Sequence, residues 1–372
     1  MIDNPLKKLE ALGQSIWLDY IRRDLISSGD LRRLIEQDGL RGMTSNPSIF
    51  EKAIAESHIY EQVIHDMAIR KKDVKAIYES LSQQDVQNAA DEFRTVYDKT
   101  DGKDGYVSLE VNPHLAHDTK GTIEEARRLW AALNRPNVFI KVPATSDGLP
   151  AIQQLISEGI NVNVTLLFGL PRYRQVAEAY IAGLETRVVQ GKPLKNITSV
   201  ASFFLSRIDT LLDPLVKKFI EPGNKETEIA KKVHGQLAIS SAKAAYQIYK
   251  EIFGSTRFKK LADKGARVQR LLWASTSNKN PDYSDVKYIE SIIGTDTVNT
   301  VPLETLNAYR DHGDPQSRLE QDVREANGIL AQLPELGINI DKMTQQLEDE
   351  GIRKFNEPFD KLMEAITKQL ST

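Results

Sequence analysis

N-V-F-I-K-V-P-A-T, residues 137–145, sets a single lysine inside an otherwise apolar run. Val138, Phe139, Ile140 and Val142 are β-branched or aromatic, the composition of a strand buried on both faces of a parallel sheet. A charged ammonium at Lys141 is costly there unless it is paired or gives up its proton. Burial lowers a lysine pKa, and a neutral amine attacks a carbonyl to form a Schiff base. The competing account of the motif taken alone is a structural lysine snorkelling to water from a strand end.

Working outward, seven further runs have strand character: 15–20, 42–47, 106–111, 161–168, 199–204, 267–275 and 298–303. Helical patterns lie between them, such as 122–133 and 149–159, the second stopped by Gly159. Strand–helix alternation predicts βα units on a parallel sheet, and eight of them predict an α/β fold closed as a single (β/α)8 TIM barrel. Such barrels run to about 250 residues; the surplus of this 372-residue chain falls in helical insertions at 50–100 and 205–262 and in a helical, amphipathic tail at 314–372. The tail is expected to pack on its own barrel rather than form a subunit interface. A doubly wound open sheet is disfavoured because no G-x-G-x-x-G follows the first strand. The stretch around Glu221–Lys225 reads as a turn, not a linker, so residues 1–372 are expected to form one domain.

Composition excludes several classes. With 40% hydrophobic and 27% charged residues the chain has an ordinary globular balance, and a net charge of -3 provides no field for nucleic acid or an anionic membrane. The absence of cysteine removes disulfides, thiolate nucleophiles and cysteine-ligated metals. His114 and His117 are spaced i, i+3 without an obvious third ligand, so no metal is expected. The N-terminal M-I-D-N-P-L-K-K-L-E lacks the apolar core of a signal peptide, and no run is long enough to span a bilayer. A cytoplasmic location is the expectation.

Functional side chains of a parallel barrel gather at the C-terminal strand ends. There this chain has Asp19, Thr44 to Asn46, Glu110, Lys141, Asn163 with Thr165, Ser202 and Ser275. Each has a plain structural reading: Asp19 as a helix cap, Asn46 before Pro47 as a turn, Asn163 and Thr165 as satisfied polar packing. Together they supply a buried amine, two carboxylates and neutral donors, a coherent set for imine chemistry.

The segments W-L-D-Y-I-R-R-D, G-M-T-S-N-P-S-I-F, V-S-L-E-V-N-P, V-F-I-K-V-P-A-T, N-V-N-V-T-L-L-F and A-S-F-F-L-S-R-I-D resemble transaldolases in order and spacing. R-V-Q-R-L-L-W-A-S-T, K-N-P and D-T-V-N-T-V-P resemble the longer bacterial form. The resemblance implies transfer of a dihydroxyacetone unit from sedoheptulose 7-phosphate or fructose 6-phosphate to glyceraldehyde 3-phosphate or erythrose 4-phosphate. This is a step of the non-oxidative pentose phosphate pathway, and it needs no cofactor. It further implies Lys141 as the Schiff-base lysine, Asp19 as acid/base in carbon–carbon cleavage, and Glu110 with Thr165 holding the catalytic water. Asn46 and Asn163 would bind the dihydroxyacetone moiety, and Ser202 and Arg207 would line the phosphate end. One departure stands out. Shorter relatives carry a second arginine where this chain has Ser277, which makes Lys279 the candidate for that phosphate contact; Ser275, at the end of its strand, is a further candidate for substrate binding. An aldolase that releases free dihydroxyacetone, and a non-catalytic sugar-phosphate barrel, are the alternatives. A fused isomerase is disfavoured because the chain ends at Thr372. Partners are expected to be small sugar phosphates, and the protein a monomer or homodimer.

Overall fold

The computed structural model describes residues 4–55, 57–220 and 226–370. Eight parallel strands form a closed barrel in sequence order: β1 (Gln14–Asp19), β2 (Gly42–Thr44), β3 (Tyr106–Glu110), β4 (Val138–Pro143), β5 (Val162–Leu167), β6 (Ser199–Phe204), β7 (Arg270–Ala274) and β8 (Thr297–Val301). Pairing of β1 with β8, Gln14 against Thr297 through Leu18 against Val301, closes the ring. Every residue of β4 and β5 is buried; burial on both faces is why β4 reads as an apolar run broken only by Lys141, whereas β5 buries Asn163 and Thr165 between Val162, Val164 and Leu166.

The interior is layered. Ser15, Trp17 and Asp19 alternate along one face of β1, as Phe139, Lys141 and Pro143 do along β4. Trp17 and Phe139 stack across the barrel at 6.2 Å between ring centroids, and Tyr106 stacks on Phe139 at 4.4 Å. Gly42 makes room for this plug, since a Cβ there would stand 2.5 Å from the Trp17 ring. Below the aromatic layer, Asp104 accepts hydrogen bonds from Ser15 Oγ (2.7 Å), Trp17 Nε1 (3.2 Å) and Arg270 Nη2 (2.9 Å). Polar residues at the opposite, C-terminal end sit above the plug, where they can face a cavity.

Element limits differ from the sequence reading in instructive ways. β2 stops at Thr44, because the Asn46 side chain accepts from Ile49 N (3.0 Å) and Pro47 opens the helix Pro47–Ala55. β7 begins at Arg270 rather than 267, where pairing with Val200 of β6 begins. β8 ends at Val301, and Pro302 precedes the helix Leu303–His312. The helix expected at 149–159 spans Gly148–Glu158 and stops at Gly159, whose φ of +94° is left-handed. The tail is not helical from 314: Arg318 N and Leu319 N donate to Ile293 O, holding residues 314–322 as loop and turn until the helix Val323–Gln332 starts. The turn expected around Glu221–Lys225 lies outside the described residues.

The last helix, Ile340–Leu370, crosses the C-terminal end of the barrel. It packs on the helices Pro47–Ala55, Glu61–Ile69 and Val74–Lys99 and on the end of β5, so the tail does fold back on its own barrel. Among the described residues no helix is long and apolar enough to cross a membrane.

The network at the N-terminal end gives a stability test. Asp104→Ala strands the buried Arg270 guanidinium without its counter-charge and is expected to cost about 3–5 kcal/mol in urea unfolding. Asp104→Asn, which keeps an acceptor and the shape, should lose less; equal losses would mean that the charge pair contributes nothing.

Candidate active site

A cavity of about 220 Å³ opens at the C-terminal end of the barrel. Asp19, Asn46, Lys141, Thr165, Ser202, Arg207, Ser275, Ser277 and Lys279 are among the residues that line it. Glu110 and Asn163 do not reach its wall but pack behind it.

Lys141 is 5% exposed. Its Nζ donates to the Ser45 carbonyl oxygen (2.8 Å) and is ion-paired with Glu110, which stands opposite it in the β3–β4 register. Apart from that pair, neither carboxylate oxygen of Glu110 has a hydrogen-bond partner among the described residues, and the buried Thr165 hydroxyl has none either. Burial pushes the Glu110 carboxyl above the ordinary glutamate range; the Lys141 charge opposes this, and the negative charge of Asp19 adds to it.

Asp19 is held differently. Thr44 Oγ1 donates to its Oδ1 (2.6 Å) and lies 2.7 Å from Thr300 Oγ1, which fixes the carboxylate from one side. Burial pushes Asp19 up as well, against the pull of Lys141 first, then of the Thr44 hydroxyl, Arg207 and Lys279. Two carboxylates thus flank one amine, Glu110 paired directly with it and Asp19 on another strand.

Asn163 spans the barrel interior: its Nδ2 donates to Ser108 Oγ (3.1 Å) and its Oδ1 accepts from Ser202 Oγ (2.6 Å). It therefore steadies Ser202, which does face the cavity. Thr165 owes its aim to an irregularity of β5: the register shifts between Val164 and Leu167, and Leu166 has a φ of +55°. A bulge of this kind turns a side chain at a strand end, and a non-glycine residue in that region carries strain of order 1–3 kcal/mol. A second such residue borders the cavity. Ser275, with φ +53°, places its carbonyl to accept from Ser206 N (2.9 Å) and its Oγ 2.9 Å from Ser206 Oγ. These bonds tie the end of β7 to the start of the helix Ser206–Lys217, which carries Arg207.

Arg207 lies over the Phe204 ring at 5.4 Å, and its buried Nη1 has no hydrogen-bond partner among the described residues. Burial lowers its pKa, opposed by Asp19 and Glu350. Lys279 is exposed on a wall shared with a second cavity of about 430 Å³. Its loop is stiffened by Asn278 Nδ2, which donates to Asn280 O and Tyr283 O (2.6 Å each), and by Tyr283 OH, which donates to Asp213 Oδ2 (2.7 Å). Ser277, where the second arginine of shorter relatives would fall, also faces the main cavity. Three cations against one lining carboxylate make this a site for an anionic ligand.

The sequence reading does not assign Thr300 or Phe355 to the site, yet both line the cavity. Thr300 was within reach, because alternation along T-V-N-T-V-P turns it inward with Val298. Phe355 reads only as one apolar residue of an amphipathic tail. Among the described residues no group of three or more His, Cys, Asp or Glu is arranged to hold a metal; His114 instead contacts Asp360 (2.7 Å) and His117 contacts Asp147 (3.3 Å).

Comparison with known proteins fits this geometry. The profile described as Transaldolase/Fructose-6-phosphate aldolase matches residues 16–366. A transaldolase from Trichodesmium erythraeum (strain IMS101) is 49% identical over 374 residues, covering 100% of this chain and 98% of that protein. A transaldolase from Thiobacillus denitrificans (strain ATCC 25259 / T1) is 44% identical over 363 residues, covering 98% and 99%. A transaldolase from Mycobacterium bovis (strain BCG / Pasteur 1173P2) is 43% identical over 372 residues, covering 99% and 98%. With similarity running the length of the chain and an eight-stranded barrel beneath it, this protein is an enzyme of the transaldolase/fructose-6-phosphate aldolase family.

Proposed function

We propose that the cavity transfers a dihydroxyacetone unit between sugar phosphates through an imine on Lys141. The observation that carries this is the placement of the Lys141 amine. It is buried at the cavity, paired with a carboxylate whose acid form burial favours, and within one site with a second carboxylate.

A proton moved from Lys141 to Glu110 leaves a neutral amine, which attacks C2 of the donor ketose. The carbinolamine then loses water, with its proton supplied through Glu110 and a water held between Glu110 and Thr165. The unused bonding capacity of both groups supports that role. Asp19 takes the C4 hydroxyl proton, the C3–C4 bond breaks, and its electron pair passes into the protonated imine. The shortened aldose leaves. The carbon nucleophile then adds to the aldehyde of the acceptor, and Asp19 returns a proton to the new alkoxide. Hydrolysis of the imine frees the product and restores the amine. No step calls for a metal or organic cofactor.

Arg207 is read as the phosphate clamp, supported by its unpartnered Nη1; Ser202, Ser275 and Lys279 complete that end. Asn46 is read as a contact of the dihydroxyacetone moiety, and Asn163, behind the cavity wall, as the support of Ser202. Residues 1–372 are taken as one domain acting as a monomer or homodimer. A cytoplasmic setting follows from the substrate class, and the reaction belongs to the non-oxidative pentose phosphate pathway.

Borohydride added with fructose 6-phosphate should leave a reduced three-carbon adduct on Lys141, found by peptide mass spectrometry and missing in Lys141→Ala. Donor binding without any adduct on Lys141 would overturn the imine reading. Lys279→Ala should raise KM for phosphorylated substrates roughly tenfold, the loss of one charged contact; an unchanged KM would remove Lys279 from the phosphate site.

Asp19→Asn gives a pH test with a defined sign. A carboxyl whose folded pKa is raised makes the folded state bind more protons, so its ionisation costs stability as pH rises above the ordinary aspartate value of about 3.9. The variant should abolish transfer yet unfold at a higher temperature than the parent at pH 7, with the gap closing towards pH 4. A constant gap across that range would contradict the raised pKa.

A further inference from the structure

We infer that Phe355 decides whether the carbon nucleophile on Lys141 meets an aldose or water, and so makes this enzyme a transferase rather than an aldolase. The inference rests on the imine reading of Lys141. The Phe355 ring lines the cavity, is 6% exposed, and its centroid stands 6.0 Å from Lys141 Nζ. A phenyl ring at that distance occupies space beside the reacting nitrogen, offers no hydrogen bond to water, and presents a π-face to a cationic imine.

The ring is held in place by contacts on both sides of it along the last helix. Glu348 accepts from Arg172 Nε (3.2 Å), and Gly351 lies so close to β5 that a Cβ would stand 3.0 Å from Leu166 Cδ2. Beyond it, Phe359 meets Tyr78 edge-on at 5.5 Å, and Asp360 contacts His114 Nε2 at 2.7 Å. Residues 348, 351, 355 and 359 follow helical spacing, so one stripe seats the helix and aims the ring. This is a fixed roof.

The chemistry at stake balances simply. After C3–C4 cleavage the aldose departs and the three-carbon unit remains on Lys141 as an enamine, its electron pair at C3. In transfer, C3 bonds to the acceptor aldehyde carbon and Asp19 protonates the resulting oxygen. In release, C3 takes a proton from water, a water molecule adds to C2, and the C2–N bond breaks to give dihydroxyacetone and the free amine. Both routes end with hydrolysis of the imine, but only release needs solvent at C3. An apolar ring over the nitrogen opposes that approach while an aldose bound by its phosphate enters from the Arg207 side.

The test uses full-length Phe355→Ala and Phe355→Leu, the second keeping an apolar side chain should the first fold poorly. Dihydroxyacetone release from fructose 6-phosphate without acceptor, and transfer to erythrose 4-phosphate, are measured on each. The expected result is a rise of at least tenfold in the ratio of release to transfer for Phe355→Ala, with Phe355→Leu between it and the parent. A ratio that stays constant while both rates fall would overturn the proposal, since a merely structural role lowers them together. Borohydride trapping on the same variants separates the two readings. An adduct in every form upholds the imine and leaves the ratio to decide on Phe355. An adduct lost only in the variants overturns the partition role, and no adduct even in the parent overturns the imine itself.

Discussion

The ion pair of Lys141 with Glu110 is the interaction around which the upper half of this barrel is arranged. Taking both charges out of water costs several kcal/mol per ion, and their attraction offsets this only with good geometry and further hydrogen bonds. The β3–β4 register supplies the geometry by setting the two residues side by side, and the Ser45 carbonyl supplies one of the bonds. What is left unsatisfied is chemically useful. Burial pushes Glu110 towards its neutral form beside the Lys141 amine, which in the proposed reaction gives up its proton.

The division of labour between two carboxylates follows from where each is anchored. Glu110 is on the strand adjacent to Lys141, whereas Asp19 is on β1 and is oriented by Thr44 and Thr300. In the proposed reaction, their separate settings let one serve the amine and the other a substrate hydroxyl. The Trp17, Tyr106 and Phe139 plug fills the barrel, and the Asp104–Arg270 network closes its lower end. Stability and chemistry thus occupy opposite ends of the same strands, the usual arrangement in this fold.

Strain is spent at the rim. Leu166 and Ser275 adopt left-handed backbone conformations next to the cavity, one turning Thr165 into place and the other joining β7 to the helix that carries Arg207. The last helix then roofs the site and adds Phe355 to its wall.

The eight strands were legible in the sequence because burial on both faces writes itself locally as runs of β-branched and aromatic residues. Lys141 stood out for the same reason, as the one charge inside such a run, and strand-end position pointed to Asp19, Glu110 and Thr165. Three things were decided only by tertiary structure. Register made Glu110 the partner of Lys141 and left Asn163 beneath the cavity, since strand pairing depends on residues far apart in sequence. The bonds from Arg318 and Leu319 to Ile293 kept residues 314–322 out of the helix that their composition suggested. Docking of the tail turned Phe355 from one apolar residue among many into a wall of the site. Periodicity tells which face of a helix is buried, but only packing tells against what.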